Sequence, residues 1–376
     1  MNILIDGRPL VASSAGITTF LKCSVAAWAR LRPGDMLYIA LPAEPDKTFS
    51  SDGLPSNVQL VVKTNALLRL LPNLVWLNVM MPLLARRWKA AVYYSPLPCV
   101  PFFLPRDIKR VIVVHDVVNI EYRKTMQWTN VISNMLFFSR SVKTADILWT
   151  NSEYTAGKVR HYFPVRRAMD IFTGCSIDRK VYKHIDITRQ ERRAVMERHG
   201  ISRRFLLFVG SLEPRKNLRF LLQMMPEIYR LLGLQLVVVG ARGWKATDIR
   251  TIVEAEDYPR DSVVFCGFVY DRELVQLYNT AECFVSPSLN EGFGMPQLEA
   301  LCCGCPVVTA HNSAMAEVAQ GKSGAVTVEG YDPTTWIEAI TNAVERHPAT
   351  PDSELADYDW DKIVSRLHNK IFISGQ

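Results

Sequence analysis

Two short segments carry residues whose types and spacing suit chemistry on a charged, hydroxyl-rich ligand. The first is Ser286-Pro-Ser-Leu-Asn-Glu-Gly-Phe-Gly-Met-Pro-Gln-Leu-Glu299. A strand is expected to end near Ser286, and Pro296 suits the first turn of a helix. Gly292 and Gly294 let the backbone come close to a ligand. Their amides, with the helix start behind them, suit negative or hydroxyl-bearing groups. Glu291 precedes the loop and Glu299 stands one turn into the helix, so two carboxylates flank one strand–helix junction. Hydroxyls of a sugar and a ribose are natural partners for such a pair. Taken alone, the pattern also describes a tight turn with two surface glutamates, and it gains meaning only in company.

The company is Phe205-Leu-Leu-Phe-Val-Gly-Ser-Leu-Glu-Pro-Arg-Lys-Asn217. It reads as a buried strand, a turn, and then Arg215 and Lys216 at the start of a helix. Two fixed cations beside free helix amides form a diphosphate site that needs no metal. By itself this reads more readily as a solvated basic helix start. Here it follows a strand in the same half of the chain as the glutamate loop, so both are expected to face one cleft.

The elements that must position these groups alternate along the chain. Strand patterns at Asn2–Asp6, Met36–Leu41, Val58–Val62, Ala91–Tyr94, Arg110–Val114, Asp146–Thr150 and Met169–Phe172 are interleaved with helical patterns at Gly16–Leu31, Leu74–Lys89, Thr129–Thr144 and Glu153–Tyr162. The rhythm restarts with strands at Phe205–Gly210, Leu234–Gly240, Val263–Cys266, Cys283–Ser286, Val307–Ala310 and Ala325–Val328. Their intervening helices are Leu218–Leu232, Thr247–Ala255, Arg272–Thr280, Pro296–Cys303 and Pro333–Arg346. Alternation of this kind predicts parallel sheets covered on both faces. The expected fold class is α/β: two Rossmann-like, doubly wound domains facing a central cleft, with the ligand beyond the carboxyl ends of the strands. The expected domains are 1–183 and 184–359, and a last helix within 360–376 returns to the first. Asp178–Arg204, charged and weakly apolar, reads as a linker plus a surface helix.

A length of 376 residues corresponds to about two domains. With 48% apolar and 22% charged residues the chain is globular rather than disordered or fibrous. The net charge of +7 suits an anionic small ligand or a membrane surface. No lysine or arginine run exceeds two residues, so a nucleic-acid partner is not expected. Eight cysteines show no disulfide-scaffold spacing, and the opening Met-Asn-Ile-Leu-Ile-Asp reads as a strand rather than a signal peptide. A reducing, cytoplasmic setting is expected, with at most peripheral attachment to the inner face of a membrane.

Three rival features read more simply. Cys302-Cys303-Gly304-Cys305 has a redox or zinc spacing but lacks a second ligand pair, so packing is expected. The series Asp357, Asp359, Asp361 suits capping of the terminal helix better than a metal. Leu67–Lys89 mixes Leu, Met, Trp76 and Trp88 with Arg69, Arg86, Arg87 and Lys89. It could lie on anionic lipid, although a core-facing helix is the favoured reading.

The two glutamates eight apart around Gly-Phe-Gly, with Gly-Ser-Leu-Glu-Pro-Arg-Lys-Asn upstream, resemble the retaining glycosyltransferases of family 4, which have the GT-B fold. Also similar are His115-Asp116 and Asn151-Ser152 after strands, Phe265-Cys-Gly-Phe268, and Leu301-Cys-Cys-Gly-Cys-Pro-Val-Val308. The resemblance is strong from about residue 145 to 345. It implies that Arg215 and Lys216 hold the diphosphate of a nucleotide sugar, that Glu299 binds the ribose and that Glu291 contacts the transferred sugar. The amides of Gly292, Phe293 and Gly294, with Met295, complete the donor set. His115 is implied beside the reacting face of the sugar, and the backbone of Gly267 and Phe268 beside the base. The family's amino-terminal Gly-Ile-Gly is Gly16-Ile17-Thr18 here, so Gly16 keeps an amide for the diphosphate in a loop narrowed by Thr18.

The resemblance is closest to mannosyltransferase-like members. It implies transfer of mannose from GDP-mannose, with retention, to a glycan or lipid-linked acceptor in surface polysaccharide (O-antigen) assembly. Neither a cofactor nor a metal is implied. A nucleotide-sugar epimerase of the same fold, a phosphorylase and a non-catalytic nucleotide-sugar-binding subunit are the alternatives. A dead copy would be expected to lose some of Arg215, Lys216, Glu291 and Glu299, and all four are intact.

Overall fold

The computed structural model describes residues 1–11, 15–46, 49, 54–62, 73–117, 137–163, 170–240 and 247–373. Parts of three segments singled out in the sequence, residues 67–72, 129–136 and 169, lie outside the described residues. The chain divides into two compact units, Met1–Ser176 with Tyr358–Gln376, and Ile177–Asp357.

In the first unit, β1 (Asn2–Asp6), β2 (Met36–Leu41), β3 (Val58–Val62), β4 (Val92–Ser95), β5 (Lys109–Val114), β6 (Ile147–Thr150) and β7 (Asp170–Thr173) form one sheet in the order β3-β2-β1-β4-β5-β6-β7. Every pairing is parallel. Parallel strands covered by helices on both faces read as unbroken apolar runs, and Val111, Ile112, Val113 and Val114 are accordingly all buried. The helix Asn73–Arg87 contributes Trp76, Leu77, Met81 and Leu84 to the core on one face. The terminal helix Trp360–Ile373 packs on the helix Ala15–Leu31. Trp360 lies edge-on to Phe20 with centroids 5.0 Å apart, and Arg30 pairs with Asp361. The Asp359 carboxylate accepts from the amides of Asp361 and Lys362, the capping role expected of that acidic series.

In the second unit, β8 (Phe205–Val209), β9 (Gln235–Val239), β10 (Val263–Gly267), β11 (Cys283–Ser286), β12 (Val307–Ala310) and β13 (Ala325–Val328) form a parallel sheet in the order β10-β9-β8-β11-β12-β13. The winding direction reverses between β8 and β11, the position where a doubly wound sheet opens a crevice for a ligand. The helix Leu218–Leu232 buries Leu218, Leu221, Leu222, Met225 and Ile228 at helical spacing against this sheet. It stops at Gly233, whose left-handed φ of 63° is the usual end signal. Gly240 is required after β9, because a Cβ there would stand 1.9 Å from the Gly210 carbonyl oxygen. The charged connector Asp178–Arg204 does carry a surface helix, Arg189–Arg198, with a Thr188/Glu191 capping box and Val195 as its buried residue. A further helix, Ser313–Ala319, is not among those the sequence pattern predicts. Seven residues are too few for helical periodicity to show.

Candidate active site

The second unit gathers most of the chemistry-bearing residues. Because β8 and β11 are hydrogen-bonded neighbours, with Leu206 opposite Cys283, the segments leaving their carboxyl ends emerge side by side. The Leu289 amide donates to the Arg215 carbonyl at 2.7 Å and ties the two segments together. One expectation is corrected here. Arg215 and Lys216 do not open an α-helix. They sit in the 3-10 turn Pro214–Lys216, and the helix begins at Leu218 after Asn217, which takes φ 53°. Pro214 fixes its own φ, and asparagine tolerates the left-handed region, so the chain turns once before the helix starts. The cations therefore reach across to the β11 loop instead of lying beside their own helix amides.

What they reach is Glu291. Its Oε2 accepts from Arg215 Nη1 at 2.9 Å and its Oε1 from Lys216 Nζ at 2.5 Å. Arg215 also donates through Nε to Glu213 at 2.9 Å and through Nη1 to the Asn290 carbonyl at 3.3 Å. The Ser211 hydroxyl donates to the other Glu213 oxygen at 2.8 Å. Burial pushes the Glu291 carboxyl up, but Lys216 and Arg215 more than reverse this and hold it below its ordinary range. Burial likewise disfavours the Arg215 cation, and Glu291 and Glu213 outweigh it. The site is thus an ordered cluster of two cations and two carboxylates rather than a bare positive patch. Behind it, the Glu291 amide donates to Ser313 Oγ at 3.1 Å; Ser313 adopts φ 50°, rare for a serine, and its hydroxyl donates to Asn312.

Glu299 lies one turn into the helix Met295–Cys302, as expected, and is buried. Its carboxylate accepts from the Tyr278 hydroxyl at 2.9 Å. Burial raises its pKa to about 7; Asp271 adds to this, while the Tyr278 bond and the Lys216 charge oppose it. Asp271 in turn accepts from Tyr182 at 3.0 Å. Gly294 takes φ 93° at the head of the helix, a left-handed conformation suited to glycine, and no side chain caps that helix start. Phe293 is buried beside it, while Gly292 and Met295 are half-buried. Gly267 ends β10 with φ 67° after a register shift at Phe265/Gly267. Phe268 and Tyr270, which follow it, are exposed with rings edge-to-face at 5.1 Å.

The remaining two candidates belong to the first unit. Gly16 lies exposed in the first turn of the helix Ala15–Leu31 rather than in a loop, and the Thr18 hydroxyl donates to the Pro9 carbonyl at 2.8 Å. His115 follows β5. Its Nε2–H donates to the Pro96 carbonyl at 2.8 Å, an assignment fixed by that acceptor, so Nδ1 accepts from the Asn151 amide at 3.0 Å. Burial lowers its pKa to about 4, and the ring is neutral. Asn151, noted in the sequence only as a strand-end residue, is therefore the partner of His115.

Sequence reasoning does not single out Tyr278, Glu213 or Ser313. Tyr278 lies on the helix Asp271–Thr280, where an aromatic at core spacing carries no functional signal. Ser313 acts through a backbone contact that sequence does not display. Among the rivals, Cys303 and Cys305 are buried thiols whose pKa burial raises. Among the described residues no group of three or more His, Cys, Asp or Glu side chains is arranged to hold a metal ion.

Residues 203–346 match the family described as Glycosyl transferases group 1. O-antigen chain mannosyltransferase B of Escherichia coli is 30% identical over 290 residues, spanning 74% of this chain and 69% of that protein. Among solved structures, sucrose-phosphate synthase from Thermosynechococcus elongatus is similar over 100% of both chains, with a TM-score of 0.77 at 15% identity. Anabaena HepE, solved in complex with UDP-glucose, is similar over 99% of both, with a TM-score of 0.73 at 18% identity. At such identities the structural likeness concerns the fold, two parallel-sheet α/β units of the GT-B type.

Proposed function

The chain belongs to the glycosyl transferases group 1 family, and on that premise we propose that it moves mannose from GDP-mannose to a hydroxyl of a glycan or lipid-linked acceptor in surface polysaccharide assembly. Transfer retains the α configuration and needs no metal. The choice of mannose is supported by the relative named as an O-antigen mannosyltransferase, and retention by the motif resemblance around Glu291 and Glu299. A cytoplasmic enzyme seated peripherally on the inner face of a membrane goes with a lipid-linked acceptor.

The observation that carries the reading is the convergence of Arg215 and Lys216 on Glu291 beside the point where the second sheet reverses its winding. A departing nucleoside diphosphate gains negative charge as the glycosidic bond breaks. Two cations already fixed by hydrogen bonds stabilise that charge without reorganising, the main source of rate in such transfers. Protein cations thereby take the part a divalent metal plays elsewhere. Glu299 receives the ribose hydroxyls, and Glu291 the hydroxyls of the transferred sugar, with the Gly292–Met295 backbone at the helix head beside the diphosphate. Gly267 and Phe268 meet the base. Gly16 offers a helix-start amide. His115, neutral and with both ring nitrogens engaged, contributes shape and ring-edge contact rather than proton transfer.

The test is turnover of GDP-mannose with a mannosyl-terminated acceptor, run with and without chelator. Lys216→Ala is expected to lower turnover by about 10²–10³-fold, the cost of one preorganised donor, and to lower the melting temperature because the buried Glu291 loses a partner, while circular dichroism at the assay temperature stays that of the wild type. Chelator is expected to leave the rate unaltered. Wild-type rates in the variant, or abolition by chelator with rescue by manganese, would discard the assignment. Isomerised donor without acceptor product would identify an epimerase.

A further inference from the structure

The helix Asn73–Arg87 is apolar on two sides. Its inward side supplies Trp76, Leu77, Met80, Met81 and Leu84 to the core of the first unit, the role favoured from sequence. Its outward side presents Val75, Val79 and Leu83, each exposed and four residues apart, as one stripe along the surface. Core packing accounts for the first side and leaves the second unexplained. Next to the stripe stand Phe102 and Phe103, the latter 71% exposed. The Phe102 amide donates to Asn78 Oδ1 at 2.6 Å, which ties this loop to the helix between Val75 and Val79. The Arg140 guanidinium lies 4.1 Å from the Phe102 ring centroid and donates to the Val100 and Phe102 carbonyls. Arg86, Arg87 and Lys89 are exposed where the helix ends.

The charge of the surrounding chain is one-sided. No aspartate or glutamate occurs between Asp52 and Asp107, whereas Lys63, Arg69, Arg86, Arg87, Lys89 and Arg106 do. A second copy of the same face would bring like charges together. A nucleic acid would leave the apolar stripe in water. An anionic bilayer surface satisfies both parts at once, apolar side chains entering among the headgroups and basic ones meeting phosphates. No helix among the described residues is long and apolar enough to cross a membrane, so such a contact lies at the interface.

We propose that the stripe Val75, Val79, Leu83 with Phe102 and Phe103 is a lipid-docking face of the first unit, held to anionic phospholipid by Arg86 and Arg87. It names the surface for the peripheral membrane seating proposed above and rests on that seating, not on the transfer chemistry. The experiment is vesicle flotation of the full chain without donor or acceptor, comparing phosphatidylethanolamine–phosphatidylglycerol vesicles with phosphatidylcholine vesicles. The wild type is expected to float with the anionic vesicles alone and to be released by salt. Leu83→Glu with Phe103→Glu should lower partitioning by about ten-fold or more, and Arg86→Ser with Arg87→Ser by a similar factor. All these side chains are exposed, so melting temperatures should stay those of the wild type; a variant that melts early is replaced by Val79→Ser with Phe103→Ser. Absence of wild-type binding, equal binding to both vesicles, or variants that float like the wild type would overturn the proposal. So would a wild-type dimer in sedimentation that the Leu83→Glu, Phe103→Glu variant dissolves. Since turnover of a soluble acceptor is a separate readout, failure here leaves the transfer reading untouched.

Discussion

Glu291 bonds both cations that a diphosphate would need, and together with Glu213 it balances their charge. The carboxylate keeps Arg215 and Lys216 ordered, yet it competes with any incoming anion for the same N–H groups. Glu291→Gln is therefore expected to bind GDP more tightly, by up to about ten-fold, given that charge-assisted bonds of this kind are worth about 1.5–3 kcal/mol before compensation. Transfer should become slower, because the contact to the sugar proposed for Glu291 is lost. Calorimetry with GDP alongside turnover checks both halves, and weaker GDP binding would refute the competition. Glu299 poses a different electrostatic question. Its folded-state pKa of about 7 is above the ordinary 4.5, so the protonated form favours the fold. That contribution is complete below about 4.5, fades as the pH climbs, and is gone above about 7, a total of about 3 kcal/mol. Glu299→Gln should melt above the wild type by a margin that grows over this window and then levels off. On the proposed assignment of Glu299 to the ribose, whose hydroxyls favour the carboxylate, nucleotide binding should expel a proton and tighten as the pH rises through about 7. Titration calorimetry in buffers of different ionisation enthalpy reads that proton.

At the scale of elements, the site depends on two strand ends and the turns that leave them. The close approach of Gly240 to the Gly210 carbonyl sets how tightly β8 and β9 end together, directly under the Ser211–Lys216 segment. Gly240→Ala forces a backbone shift there, and a loss of about 3 kcal/mol in denaturant unfolding is expected; a cost under a tenth of that would mean the ends separate freely. The alternating strands and helices are legible in sequence because parallel strands are apolar throughout and covering helices are amphipathic. The turn Pro214–Lys216 is not. Proline followed by basic residues is compatible with turn or helix, and the left-handed Asn217 that separates the two leaves no mark in composition. The Glu291 loop is legible because Gly294 and Pro296 mark its end with backbone requirements of their own.

For the molecule as a whole, the terminal helix closes the first unit across the length of the sequence. Trp360, Ile363, Val364, Leu367 and Ile371 are all buried. At about 2 kcal/mol for each such side chain, their loss of about 10 kcal/mol equals the stability of a typical domain. A chain ending at Asp357 should therefore lose the cooperative unfolding of the first unit and keep that of the second, which calorimetry and limited proteolysis can separate. Retention of both transitions would show the helix to be an accessory. Here the sequence says less, since a lone amphipathic segment after an acidic cap shows an apolar face without naming what that face covers.

From the sequence alone came the two α/β units, the place where strands give way to the loops of the candidate site, and the residue types Arg215, Lys216, Glu291 and Glu299. Each is a local matter: hydrophobic period, turn chemistry and charge depend on near neighbours. Tertiary structure alone decided the partnerships: Glu291 between two cations, Glu299 against Tyr278, His115 silenced by Pro96 and Asn151, and an apolar stripe left over on a helix whose other side fills the core. Such pairings join residues tens of positions apart. Whether a carboxylate is ionised or neutral follows from the burial and charges it meets there, which no local pattern encodes.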